Sequence, residues 1–251
     1  MTAVILSLAF AFLLPVGLIV WWNHKHKGNI WPFLAGMLCF TLFAMGLEQI
    51  PHYFLLVRKS PLSDAINGSA VLYMLYAAFA AGIFEETGRL FAFKVLLRKR
   101  TDRSNAVGYG IGHGGVEVLL IFGVTYFIYL LASLGVSFGD AATDAALKNA
   151  VSQLSVPNAL IAMLERVSAM MIHIGLSMLM FKAVKEKGKL RFYPVSIALH
   201  ALADMPAALF QFGVLKSLFA VEALAFLMGV FCLLLGRKLL FGSDDQAGED
   251  E

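Results

Sequence analysis

Ionisable side chains lie inside several strongly apolar segments of this 251-residue sequence. A carboxylate or an imidazole is costly to place in an apolar interior, so each is a candidate for proton transfer, metal binding or charge pairing. The strongest candidates are Glu85, Glu86, Arg89, His113, Glu117, His173, His200 and Asp204. Together they offer bases, metal ligands and a fixed positive charge, which suit either hydrolysis or ion transport.

Three pairs among these residues are four positions apart and therefore share a face of a helix. The pairs are Glu85 with Arg89, His113 with Glu117, and His200 with Asp204. A carboxylate one turn from a histidine can orient it as a metal ligand or bind the metal beside it. An arginine one turn from a glutamate keeps that glutamate ionised in a low-dielectric place.

The segments that carry these residues are long enough to span a membrane. The chain is 59% hydrophobic and 15% charged, with a mean hydropathy of +0.77. Since about 20 apolar residues cross a bilayer core, seven runs qualify, at 3–22, 31–56, 68–97, 105–134, 157–185, 191–211 and 215–236. We predict an all-α, polytopic bundle of about seven transmembrane helices that forms a single domain over 1–242.

The charged residues between the runs predict the topology. Basic clusters fall in the odd-numbered connections and after the last run, which by the positive-inside rule predicts an outside N-terminus and a cytoplasmic C-terminus. They are too dispersed to indicate a nucleic-acid partner. Residues 243–251 hold five acidic residues in nine and predict a disordered tail. The loop 138–155 has room for a small amphipathic helix.

Helix geometry places the candidate residues at one level. At 1.5 Å per residue, the paired glutamates lie roughly 15 to 18 Å from the basic end of their span, and His113 lies about 12 Å from that end of the next. By the same measure, His173 lies roughly 18 Å, His200 about 14 Å and Asp204 about 20 Å from the basic ends of their spans. This convergence predicts one site in the inner half of the membrane.

Structural roles are the alternative for each of these signals. An intrahelical ion pair, a histidine that hydrogen-bonds two helices, and glycines that let helices pack closely would all give similar patterns. The glycines that surround His113 suit either close packing or space for a substrate backbone. Glu165 with Arg166 predicts a structural pair, and Glu48 and Glu222 are assigned no role.

Three motifs taken together resemble a family. EETGR at 85–89, GHGGVE at 112–117 and HxxxD at 200–204 are similar to the CAAX-protease and bacteriocin-processing superfamily of intramembrane proteases. The pattern is nearest its YhfC-like branch, with PrsW-type proteases as relatives. The resemblance covers roughly 75–210 and implies a multi-pass protein of a bacterial plasma membrane.

The resemblance also implies roles for individual residues. Glu85 and Glu86 match the motif whose glutamate activates water, and Arg89 matches its basic partner. His113 matches the histidine of the second motif, while the last motif supplies His200 and Asp204. Two departures stand out: only Thr87 and Gly88 separate the glutamates from Arg89, where the CAAX-type motif has three residues, and the pattern does not include His173 and Glu117.

These observations predict an intramembrane endopeptidase that hydrolyses a membrane-associated peptide or protein, entering near the cytoplasmic leaflet. The predicted catalytic set is Glu85, Glu86, Arg89 and Asp204, with a zinc ion on His113, His173 and His200 and with Glu117 as an orienting residue or alternative ligand. Without a metal, one glutamate would be the base and the histidines oxyanion donors. The alternatives are a proton- or metal-ion-coupled transporter and a catalytically silent scaffold. The oligomeric state stays open.

Overall fold

The computed structural model describes residues 1–26 and 29–245. Over these residues the chain forms nine helices and no strand, listed here in order: α1 Thr2–Lys25, α2 Trp31–Val57, α3 Pro61–Asn67, α4 Ala70–Leu96, α5 Ser104–Ser133, α6 Ala141–Ser152, α7 Val156–Lys185, α8 Phe192–Gln211 and α9 Leu218–Asp245. Seven of them, all except α3 and α6, are long and apolar enough to cross a membrane. The predicted all-α, seven-span architecture is confirmed.

The predicted spans match these helices closely, with one difference at the C-terminal end. The last run was expected to end near 236, but α9 continues to Asp245, so the first three residues of the predicted tail are helical. Residues 246–251 lie outside the described part of the chain. The helix expected in the loop 138–155 is α6.

The short helix α3 was not predicted, although its sequence carries a start signal. The Ser60 hydroxyl accepts a hydrogen bond from the Ser63 amide at 3.0 Å, and the Ser63 hydroxyl accepts one from the Ser60 amide at 2.9 Å. Pro61 fills the first helical position, where no amide hydrogen is needed. A reciprocal cap of this kind begins a helix even where the segment is too short to span a membrane.

The transmembrane helices pack around α7, which contacts α1, α4, α5, α8 and α9. In its most apolar stretch 67% of the residues are buried, more than in any other candidate span. Two further pairs, α4 with α8 and α2 with α5, complete the bundle. The helices that carry the candidate residues, α4, α5, α7 and α8, are therefore neighbours.

Glycines in α5 let it approach α7 and α2 more closely than any side chain would permit. A Cβ atom at Gly110 would lie 2.6 Å from the Cα of Ile174 in α7, and one at Gly112 would lie 2.1 Å from the carbonyl oxygen of Phe33 in α2. Helix backbones therefore fill the space beside these two glycines, which favours close packing over room for a substrate. The approach brings His113 against α7.

Candidate active site

The carboxylate of Glu85 lies at the centre of three imidazoles that come from three other helices. Its Oε2 atom is 2.8 Å from Nε2 of His113 in α5, 3.9 Å from Nδ1 of His173 in α7 and 3.8 Å from Nε2 of His200 in α8. All four side chains are buried. The structure thus brings together α4, α5, α7 and α8, whose candidate residues helix geometry predicts at one level.

The donor and acceptor nitrogens of His173 follow from its two partners. The Arg89 guanidinium donates to His173 Nδ1 at 3.1 Å, and since a guanidinium can only donate, Nδ1 carries a lone pair. The proton is then on Nε2, which donates to Glu117 Oε2 at 2.6 Å. His173 is held between a cation and a carboxylate, and its Nδ1 lone pair accepts the hydrogen bond from Arg89.

His200 is oriented in the same way by a different carboxylate. Its Nδ1 atom donates to Glu86 Oε1 at 2.8 Å, which leaves Nε2 on the side of Glu85. Asp204, the predicted orienting partner, is farther away, at 3.5 Å from Nε2. The side chain of Asp204 is 40% exposed, so this carboxylate faces open space while Glu86 fixes the ring.

Two of the pairs expected from four-residue spacing are replaced by other partners. Arg89 forms its ion pair with Glu86, three positions earlier, rather than with Glu85. Three- and four-residue spacings both share a helix face, and Glu85 is already bound to His113. Glu117 bonds His173 across the helix interface instead of His113 on its own helix, and Nδ1 of His113 has no hydrogen-bond partner.

Three of these residues form a donor set that fits a metal ion. Glu85, His113 and His173 each offer one ligand atom, and these atoms lie within 4.8 Å of one another. One carboxylate and two imidazoles are a common donor set of catalytic zinc, and Glu117 behind His173 is the carboxylate that such histidines usually bind. A metal at Nδ1 of His173 would displace the hydrogen bond from Arg89. The set differs from the predicted one in having Glu85 where His200 was expected.

A cavity of about 130 Å³ adjoins this cluster and is lined by Glu85, His173, His200 and Asp204. It continues along α7 past Arg166 and reaches Glu222 near the start of α9. Polar walls and this volume suit several water molecules. From Glu85 the cavity thus extends toward the N-terminal ends of α7 and α9.

For two residues that line this cavity, the sequence did not predict a place in the site. Arg166 was expected to pair only with Glu165; it does so, and it also donates to Glu117 Oε1 at 2.8 Å. Glu222, to which no role was assigned, is buried on the cavity wall. The only signal for either residue was its charge inside an apolar run.

A second polar group lies outside the cavity. His52 in α2 is 2.7 Å from the Tyr76 hydroxyl and 3.2 Å from the Glu48 carboxylate. These three residues satisfy one another and line none of the cavity. Glu48 is therefore a buried carboxylate that is paired with His52 outside the cavity.

Comparison with known proteins shows the family of the chain. The family model described as YhfC intramembrane metalloprotease matches residues 10–225. The chain is also 34% identical over 247 residues to "Uncharacterized membrane protein YhfC" of Bacillus subtilis (strain 168), covering 93% of this chain and 95% of that protein. No solved structure matches the chain. The chain is a multi-pass integral membrane protein, and it belongs to the YhfC intramembrane metalloprotease family.

Proposed function

We propose that the protein is an intramembrane metalloendopeptidase that cleaves peptide bonds of membrane-associated substrates. The observation that carries this proposal is the Glu85 carboxylate, surrounded by three buried histidines and exposed to a cavity large enough for water. Peptide hydrolysis in a membrane requires such a hydrated pocket, a group that activates water and a proton donor for the leaving amine.

The cofactor that fits is a zinc ion held by Glu85, His113 and His173. When bound, it would polarise a water molecule and the scissile carbonyl. His173 is kept in position by Glu117 and His200 by Glu86. Glu86 is completely buried and bonded to Arg89 and His200, so we assign it a positioning role rather than that of the base.

Asp204 is then the carboxylate best placed to accept a proton from water. It lines the cavity, its side chain is the most exposed of the site carboxylates, and it lies 3.5 Å from Nε2 of His200. The pair Asp204–His200 would hold the proton while the water oxygen bonds to the carbonyl carbon. It would return the proton to nitrogen as the peptide bond breaks.

We further propose that substrates enter from the end of the bundle where α7 and α9 begin, because the cavity extends in that direction. If the positive-inside prediction of a cytoplasmic C-terminus holds, this is the outer side of the membrane. The order of the Glu-Glu, His and His-Asp motifs supports a place for the family within the CAAX-protease superfamily.

Ion transport is less well supported. Transport requires access to the site from both membrane faces. On the side of the site away from the cavity, the bundle is filled by Arg89, Tyr109 and Phe93, none of which is exposed. The described helices thus give the site one polar route.

The test is cleavage of a defined library of single-span peptides by the full-length protein in lipid nanodiscs, with products identified by mass spectrometry. We expect Glu85→Gln to reduce cleavage by at least about 10²-fold, because loss of this ligand would remove the ion that polarises the water and the carbonyl. Glu48→Gln is the matched control, because Glu48 is a buried carboxylate outside the cavity, and it should retain cleavage. Equal cleavage by wild type and Glu85→Gln would contradict the proposal. Proton uptake into liposomes that Glu85→Gln abolishes would favour transport.

A further inference from the structure

An apolar groove lies at the opposite end of the bundle from the mouth of the catalytic cavity, between α1 and α9. Its volume is about 730 Å³. Residues of α5 and α7 form its floor, and those of α1 and α9 form its walls; the apolar side chains among them are Leu18, Val107, Ile111, Ile174, Met178, Leu233 and Phe241. A groove of this composition within a membrane span is accessible to a lipid chain.

Basic side chains are concentrated at one end of this groove. Lys25 at the end of α1 and Arg237 near the end of α9 both line it, and both are exposed. Arg103, just before α5, lines the same end. Among the described residues that line the groove, the single carboxylate is Asp102, which accepts a hydrogen bond at 2.7 Å from the amide of Ser104, the first residue of α5. The rim is therefore net positive.

Two tryptophans add the features of a membrane interface. Trp22 donates from its indole nitrogen to the carbonyl of Ser104 at 3.2 Å, which ties α1 to the start of α5. The amino group of Lys25 lies 5.7 Å from the ring of Trp21. Tryptophan rings prefer the headgroup level of a bilayer, so the basic end of the groove lies where lipid phosphates are found.

We propose that this groove is a binding site for one anionic phospholipid, with its phosphate at Lys25 and Arg237 and an acyl chain along the apolar floor. Charge complementarity selects the occupant: a zwitterionic lipid offers the same chain but brings its own cation to a rim that is already positive. Binding here requires neither a metal nor cleavage of a peptide.

The bound lipid would contact the helix segments that carry His113 and His173, on the side away from the catalytic cavity. Ile174 in the floor follows His173 directly, and Ile111 is two residues before His113. Gly110, the neighbour of Ile111, packs against the backbone of Ile174. A chain in the groove therefore packs against the helix segments that present two of the three imidazoles, and we expect it to raise the thermal stability of the protein.

The experiment is native mass spectrometry of the full-length protein released from nanodiscs of phosphatidylglycerol and phosphatidylcholine in equal amounts. The wild type should retain one phosphatidylglycerol at least about tenfold more often than phosphatidylcholine. The double substitution Lys25→Gln with Arg237→Gln should abolish this preference. Arg98→Gln with Lys99→Gln removes the same charge near the end of α4, outside the groove, and should leave it intact.

A second variant fills the apolar part of the groove without changing its charge. Leu233→Trp should lower phosphatidylglycerol retention and remove the stabilisation that added phosphatidylglycerol gives to the wild type in a thermal unfolding assay. Retention that survives both the double substitution and Leu233→Trp would overturn the proposal. Equal loss in the Arg98 and Lys99 control would also overturn it, since the attraction would then belong to the whole basic surface. Neither result depends on proteolysis.

Discussion

The two sides of the active site are built differently. On one side, Glu86 and Arg89 are completely buried, bonded to each other, and connected to His200 and His173. On the other, Asp204 is partly exposed on the cavity wall and lies 3.5 Å from Nε2 of His200. Charges in a sealed interior must be paired to persist, whereas a carboxylate beside a cavity is free to exchange protons. Substitutions on the sealed side should therefore affect folding, and those on the open side should affect catalysis.

The largest effect is expected from Arg89→Met on the sealed side. It removes the guanidinium that is paired with the buried Glu86, which keeps only its contact with His200 among the described residues, and it removes one hydrogen bond to His173. Loss of one member of a buried pair costs about 3–5 kcal/mol of unfolding free energy. Thermal unfolding in detergent should show a large drop in midpoint temperature. A midpoint like that of the wild type would mean that Glu86 is not paired in this way.

On the open side, Asp204→Asn should leave the unfolding midpoint almost unchanged, because the side chain is partly exposed and its pair with His200 is long, at 3.5 Å. Cleavage of the peptide library should fall by about 10²-fold, since the proposed proton acceptor is lost. Thermal unfolding and peptide cleavage, both measured for Arg89→Met and Asp204→Asn, distinguish the effect of the sealed side on stability from the effect of the open side on catalysis. An Asp204→Asn protein that cleaves normally would remove Asp204 from the mechanism.

Close packing behind His113 gives a smaller, purely steric effect. Gly112→Ala would place a methyl group 2.1 Å from the carbonyl oxygen of Phe33, so α5 and α2 must separate. Overpacking of this kind costs about 1–3 kcal/mol. Gly17→Ala is the control, because a Cβ there has no neighbour within 4 Å. Equal midpoints for the two alanine variants would contradict the described packing.

The smallest effect concerns Asp144, which belongs to neither side of the site. Its carboxylate accepts hydrogen bonds from the Phe138 amide at 2.7 Å and the Ser137 hydroxyl at 2.6 Å, and these bonds lower its pKa. A lowered pKa stabilises the loop above the unfolded value of about 3.9 and ceases to do so as pH falls through the folded value. Hydrogen exchange of the Phe138 amide, corrected for its intrinsic pH dependence, should become faster on acidification below about pH 4, and faster in Asp144→Ala at pH 7. Cleavage should not change.

The sequence was sufficient to predict the helices and the site level, but not the partners within the site. Apolar run length and helical rise place His113, His173 and His200 near Glu85, because both depend on the backbone alone. Partners across helices depend on how each helix is rotated about its axis. For this reason the spacing predicts that Glu117 orients His113, whereas in the structure Glu117 accepts a hydrogen bond from His173. The glycines of α5 bring the helices into contact, but their spacing does not predict this rotation.

The central claim is that Glu85, His113 and His173 together bind a metal ion. Its most direct test is the zinc content of the purified full-length protein, measured by inductively coupled plasma mass spectrometry after exposure to zinc and desalting. We predict about one zinc per wild-type chain, loss in Glu85→Gln, His113→Ala and His173→Ala, and retention in the Glu48→Gln control. Wild-type protein that is folded but holds no zinc, or zinc retained in all three variants, would contradict it.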